Sequence, residues 1–171
     1  MSPTHPKMDV VWSRFQELDI PFITHLGGGQ IFLREAFLNN GKRIEAGPLG
    51  GGVDEIRAKD YTVVHYGTEA FFSAMVLDGV LEKFPKLRGA AIEQGALWAV
   101  PWVKKLDIAQ DAFKRFEPYL NLPMRASDYV RRQLKFAPFP PEPVGWMIEQ
   151  AGAELFLFST DFPSRRRTRS A

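Results

Sequence analysis

The chain contains no cysteine. Disulfides and thiolate metal ligands are therefore excluded, and any metal site must be built from His, Asp and Glu. No apolar run approaches the roughly 20 residues needed to cross a bilayer. The opening MSPTHPKMD has neither the basic n-region nor the apolar h-region of a secretory signal. A cytoplasmic protein without membrane contact is expected. Excess charge of one sign is scarce too, with 22 Lys and Arg against 20 Asp and Glu. Four of the arginines, Arg165, Arg166, Arg167 and Arg169, sit in the last residues; without them 18 basic residues face 20 acidic ones, a net charge of −2. The body is mildly acidic, so no folded basic face is expected. The RRRTR tail lacks interleaved aromatic residues and offers phosphate only a generic attraction. No specific nucleic-acid partner is expected.

What is present describes one soluble domain. At 171 residues, with 45% hydrophobic and 13% aromatic residues, the chain can bury a real core. Val11, Phe15 and Leu18, widened by Trp12, recur at helical spacing over 8–18. The apolar run 20–26, closed by Gly27, Gly28 and Gly29, reads as a buried strand. Residues 27–60 hold two turn-rich stretches, NNGKR and GPLGGGVDE, and fit a long excursion with one short helix around 31–38. A helix is expected from Thr68, with Phe72, Met75, Val76, Gly79, Val80 and Phe84 on one face and Pro85 as its stop. LRGAAIEQG reads as a second strand, 98–116 as a helix with Pro101 in its first turn, and RRQLKFAPF as a third strand. PEPVGWMIEQAG is a helix capped by Gly152, and ELFLFSTD is a fourth strand. Four strands alternating with helices predict an α/β fold with a parallel sheet.

In parallel α/β folds reactive groups gather where the strands end and their following loops converge. His25 ends the first strand, Glu93 the second and Asp161 the fourth. All three are ligand or acid–base types; taken singly, each reads first as a hydrogen-bonding loop residue, and their recurrence at equivalent places shifts the reading towards a site. His65, in YTVVHYGTE, either lines the same mouth or is a satisfied buried histidine. His5, in SPTHP, reads as part of a solvated turn. The runs Gly27–Gly29 and Gly50–Gly52 match no phosphate loop and read as plain flexibility. Phe71, Phe72 and Phe84 read as core.

The passage GVLEKFPKLRGAAIEQGALWAVPWVKKLD, with PFITHLGGG before it and LFLFSTDFP after it, resembles the amidohydrolase-related family that includes aminocarboxymuconate semialdehyde decarboxylase and the resorcylate-type decarboxylases. The likeness runs over nearly all of residues 3–163. It implies a (β/α)₈ barrel with a divalent metal, usually zinc, at its mouth. On that pattern the chain resembles the second half, about strands five to eight, as a partial barrel domain over 1–163 followed by a disordered basic tail over 164–171. The resemblance implies that His25 is the strand-five metal ligand, and that Asp161 is the strand-eight ligand and the base. Glu93 stands where decarboxylase members carry a histidine, a departure from the decarboxylase pattern. Glu93 and His65 are implied to contact substrate.

Two further departures shape the expectation. The family's strand-one H-x-H pair has no counterpart, and a whole barrel needs about 250 residues. The family follows its D-[YF]-P with a histidine and an acid, whereas Asp161, Phe162 and Pro163 are followed here by Ser164 and arginines. The end thus reads as sequence foreign to the family, as an altered reading frame or gene break would give. The resemblance implies a metal-dependent hydrolase or nonoxidative decarboxylase of a small carboxylated substrate, weakly active or inactive alone. The alternative is a noncatalytic remnant or a complementing half-barrel subunit. Expected partners are a small-molecule substrate and either a second copy or a complementing N-terminal half, because half a barrel leaves strand edges unpaired. A third reading, an anion- or RNA-binding module, would depend on residues 164–171.

Overall fold

The computed structural model describes residues 1–26, 33, 35–37, 39–41, 47–48 and 55–159. The first helix, α1 (Asp9–Glu17), follows a 3-10 turn over Pro6–Met8 in which His5 Nδ1 accepts from the Lys7 amide at 3.1 Å. His5 is thus a turn cap, as its solvated reading expects. The helix buries Trp12, whose Nε1 donates to the Pro3 carbonyl at 2.8 Å, while Leu18 is left exposed. A turn through Asp19, at φ 54°, then leads into β1 (Phe22–His25). Arg88 holds this turn by donating to the Asp19 carboxylate at 2.8 Å.

Between β1 and the next long helix lie a 3-10 turn over Glu35–Phe37 and a two-residue antiparallel pair, β2 (Gly47–Pro48) with β3 (Glu55–Ile56). The short helix α2 (Ala58–Tyr61) follows, then α3 (Tyr66–Leu77) and α4 (Val80–Lys83). The helix expected to run on to Pro85 is broken between these two. Asp78 donates its amide back to the Ala74 carbonyl and Gly79 its own to the Val76 carbonyl, and Gly79 takes φ 75°, the left-handed conformation a glycine tolerates and a continuing helix does not. The apolar periodicity continues across the break, because Met75, Val76, Val80, Leu81 and Phe84 are all buried. That continuity is why the break does not show as a change of pattern.

The second long strand is β4 (Gly89–Ile92), followed by α5 (Ala99–Phe113), with Pro101 in its first turn as expected. The helix α6 (Ala126–Gln133) runs directly into β5 (Leu134–Phe136), so Arg131, Arg132 and Gln133 of the expected third strand are helical. Gln133 makes that helix end specific, donating from Nε2 to the carbonyls of Phe84 at 2.9 Å and Leu87 at 3.0 Å. The last helix, α7 (Val144–Ala151), ends at Gly152 as expected. The expected fourth strand is much reduced. Ala153–Leu155 form a 3-10 turn, and Phe156 makes a single parallel bridge to Phe136.

The main sheet has the order β1-β4-β5, all parallel, in register Phe22↔Gly89↔Leu134 and Thr24↔Ala91↔Phe136. With the Phe156 bridge beyond β5, successive strands lie side by side in chain order, as repeated βαβ units demand. Phe22, Ala91, Leu134 and Phe136 join Phe72, Met75, Val76, Trp102, Tyr129 and Val130 in one buried core against the helices. Ile23, on the opposite face and directly beside Ala90, is 56% exposed. The core therefore lies on one side of the sheet, and among the described residues β1 is an edge strand, with Ile23 exposed in it and Ile20 exposed just before it.

Candidate functional site

Parallel register sends the ends of β1 and β4 to the same rim, with His25 opposite Ile92 and Glu93 next in the chain. Glu93 has φ 56°, a left-handed backbone rare for a side chain of its kind and found disproportionately at functional sites. That kink ends the strand and turns the carboxylate towards β1. His25 Nε2 lies 3.0 Å from Glu93 Oε2, and the two side chains are 55% and 38% exposed. The other ring nitrogen of His25, Nδ1, contacts the carbonyl oxygen of Leu26. Nε2 is the ring nitrogen presented to Glu93. The two residues placed at strand ends by sequence are thus brought together. Asp161, the third, lies outside the described residues, as do both triple-glycine runs and the arginine tail.

His65 is on the same end of the sheet, just before α3, but it shares no hydrogen bond or ion pair with His25 or Glu93 among the described residues. Its imidazole stacks on the Trp98 indole, with centroids 5.1 Å apart and planes 11° from parallel. Its Nε2 stands 3.5 Å from Glu69 Oε2, and the other Glu69 oxygen is 3.6 Å from Lys105 Nζ. Burial pushes the His65 imidazole below its ordinary value, against the opposing pull of the Glu69 and Glu142 carboxylates. Trp98 links this histidine back to the rim, donating from Nε1 to the Gly95 carbonyl at 3.0 Å.

Glu142 was not apparent in the sequence as a site residue. Its carboxylate accepts from three backbone amides, Ala96 and Phe139 at 2.8 Å and Leu97 at 3.1 Å. It therefore clamps the loop after β4, which carries Glu93, to the loop after β5. Gly95, at φ 67°, makes room for it: a Cβ there would fall 2.6 Å from Glu142 Oε1. The signal was an acid at a strand's C-terminal loop just ahead of a helix, the same signal that marked Glu93. Beside Glu93, Gln94 is buried, with an Oε1 that has no hydrogen-bond partner among the described residues. Above the rim Leu26 and Val64 form a small apolar cluster with Tyr61 and Phe139, whose rings stack at 5.6 Å.

The imidazole–carboxylate pair fits a divalent cation in its donor chemistry, since His nitrogen and carboxylate oxygen serve zinc and manganese alike. Among the described residues, no group of three His, Cys, Asp or Glu side chains that could hold a metal is found. Nor, among them, is any helix long and apolar enough to cross a membrane.

No protein-family model matches the chain, and no curated protein matches it in sequence. Solved structures do match. An amidohydrolase from Mycobacterium avium subsp. paratuberculosis K-10 superposes with a TM-score of 0.72 at 21% identity, over 95% of this chain and 37% of that one. The 5-carboxyvanillate decarboxylase of Sphingomonas paucimobilis gives 0.65 at 17% identity, over 98% of this chain and 46% of that one. A dihydroxybenzoic acid decarboxylase from Polaromonas sp. JS666, with bound manganese and 2-nitroresorcinol, gives 0.62 at 18% identity, over 95% and 45%. The chain thus carries part of an amidohydrolase-type barrel fold and spans less than half the length of these three structures. Zinc finds no support in these matches: the ion named with a similar structure is manganese.

Proposed function

We propose that the chain forms the C-terminal part, about strands five to eight, of a metal-dependent barrel enzyme acting on a small carboxylated molecule. The reaction is hydrolysis or nonoxidative decarboxylation. His25 is a ligand of a divalent cation, Asp161 is both ligand and base, and Glu93 and His65 line the substrate side. The observation that carries this reading is the His25–Glu93 pair, at 3.0 Å, on the C-terminal rim of a parallel sheet. That rim is where barrel enzymes of every chemistry place their reacting groups. The names of the similar structures, decarboxylases of 5-carboxyvanillate and of dihydroxybenzoic acid, favour an aromatic carboxylate over an amide as the first substrate to try. A bound cation would supply positive charge against the substrate's anionic oxygens.

The reading is tested by metal content of the purified chain beside His25→Ala and Asp161→Ala. Stoichiometric metal that is lost in both variants supports it; a wild-type chain that takes up no manganese or zinc overturns it. A second reading, a noncatalytic or complementing half-barrel subunit, is favoured by the β1 edge, which is unpaired among the described residues and where Ile23 is 56% exposed. Its partner is a second copy or a separate N-terminal half that pairs with the β1 edge. Under it, turnover of 5-carboxyvanillate or a dihydroxybenzoic acid requires the second chain.

A further inference from the structure

We infer that two copies of this chain close one eight-stranded barrel, the β1 edge of each pairing with the 156–158 edge of the other. The inference rests on the reading of the chain as about strands five to eight of a barrel, and it names the partner that completes the mouth. Strand count carries it first. The described residues hold four parallel strand positions in chain order, β1, β4, β5 and the bridge at Phe156, flanked by α1, α3, α5 and α7. A barrel of this type closes on eight strands. Four strands are half a turn, so a twofold axis along the barrel supplies the other half with every strand still parallel. The interior layers survive the exchange, because each is built from alternate strands and a shift of four keeps odd with odd.

The two ends of the arc carry it further. At one end Ile23 is exposed in β1, Ile20 just before it, and Val10 on α1 in the outer layer. At the other end Leu157 is exposed and Phe158 is 93% exposed, while α7 exposes Val144, Trp146 and Ile148. Both layers are thus apolar at both ends, the condition in which a sheet edge recruits another chain. Joining unlike ends covers strand with strand and brings α7 of one copy beside α1 of the other. Joining like ends, β1 on β1, would leave Phe158 and α7 bare. The inner face permits closure. Side chains alternate along each strand, so Ile23, Ala90 and Lys135 form one row on the face opposite the core. The charge in that row is already engaged: Lys135 Nζ donates to the Arg131 carbonyl at 3.0 Å, and the Glu154 carboxylate attracts the same ammonium. Since all eight strands end at one rim, closure brings the His25–Glu93 pair of each copy to a shared mouth.

Sedimentation velocity of the purified chain in EDTA, where metal uptake plays no part, tests the closure. Ile23→Lys alters one end of the arc and Phe158→Glu the other. Each places a charge in both junctions of a dimer, and each should raise the dissociation constant roughly tenfold or more. An equimolar mixture of the two variants should dimerise again, because one junction is then wild type at both edges and the other pairs the introduced charges with each other. A discrete wild-type dimer, weakened by either variant and restored by mixing, is the expected result. A wild-type monomer, an open series of polymers, a dimer that Phe158→Glu leaves unchanged, or variants that mixing does not restore overturns the inference. None of these touches the metal reading, which metal content decides. Should either variant lose its fold by circular dichroism, amide exchange of wild type at two concentrations decides instead. Dimerisation should slow exchange in β1 and in 156–158 together, and slowing at one end alone overturns the closure.

Discussion

The ring of Phe22 lies directly over Gly89, its partner across the parallel ladder of β1 and β4; a Cβ on Gly89 would fall 2.3 Å from Phe22 Cζ. Phe22 cannot swing aside freely, because its ring is 5.5 Å from Trp12, 5.9 Å from Phe71 and 6.1 Å from Phe72. One missing methyl thus lets the first helix close on the sheet. Gly89→Ala should cost about 1–3 kcal/mol in urea unfolding, as overpacking does. Phe22→Leu introduced beside it should recover part of the loss, since the two changes share one space.

Glu142 predicts a different kind of loss. Removing its carboxylate in Glu142→Ala leaves three amides of two rim loops without their acceptor. The expected cost is about 1–3 kcal/mol for each of those amides that water does not reach. Amide exchange should accelerate locally at Ala96, Leu97 and Phe139, while Leu134 and Phe136 in β5 keep their protection. Uniform acceleration across the sheet would contradict the clamp.

The pH dependence of stability should carry the signature of His65. Its folded value lies below the ordinary 6.5 because of burial, so between the two values the unfolded chain binds more protons than the native one. Stability should therefore be fully present above about pH 6.5 and fall as the pH is lowered through that value. The fall should flatten once His65 also protonates in the folded state. His65→Phe, which retains a ring against Trp98, should remove this slope; an unchanged slope would assign it to another group.

The exposed apolar edge predicts association. Ile20, just before β1, and Ile23, within it, are 48% and 56% exposed beside a strand edge left unpaired among the described residues, the arrangement that soluble sheets ordinarily cover. Sedimentation velocity across a range of concentrations should show self-association that Ile23→Lys weakens. A concentration-independent monomer would contradict it.

Much of this architecture was legible because its signals are local. Apolar runs closed by glycine marked β1 and β4, and Gly152 marked the end of α7. The break at Gly79 was hidden because both sides present the same buried face. The boundary of α6 was hidden because Gln133 is helical for a tertiary reason, its amide capping two distant carbonyls. At the site, residue type and strand-end position sufficed to single out His25 and Glu93. Their 3.0 Å contact was not readable, since it depends on the register of β1 against β4 and on the left-handed turn at Glu93. The contact of His65 with Trp98, rather than with the strand-end pair, depends likewise on how α3 and α5 pack.

Paramagnetic broadening by manganese, followed amide by amide along the sheet, tests most directly whether the C-terminal rim is a metal site. The account predicts loss of the His25, Leu26 and Glu93 signals at substoichiometric manganese. Phe22, Gly89 and Leu134, at the opposite ends of their strands, should broaden later and less in the titration. Broadening centred elsewhere, or none at all, would contradict it.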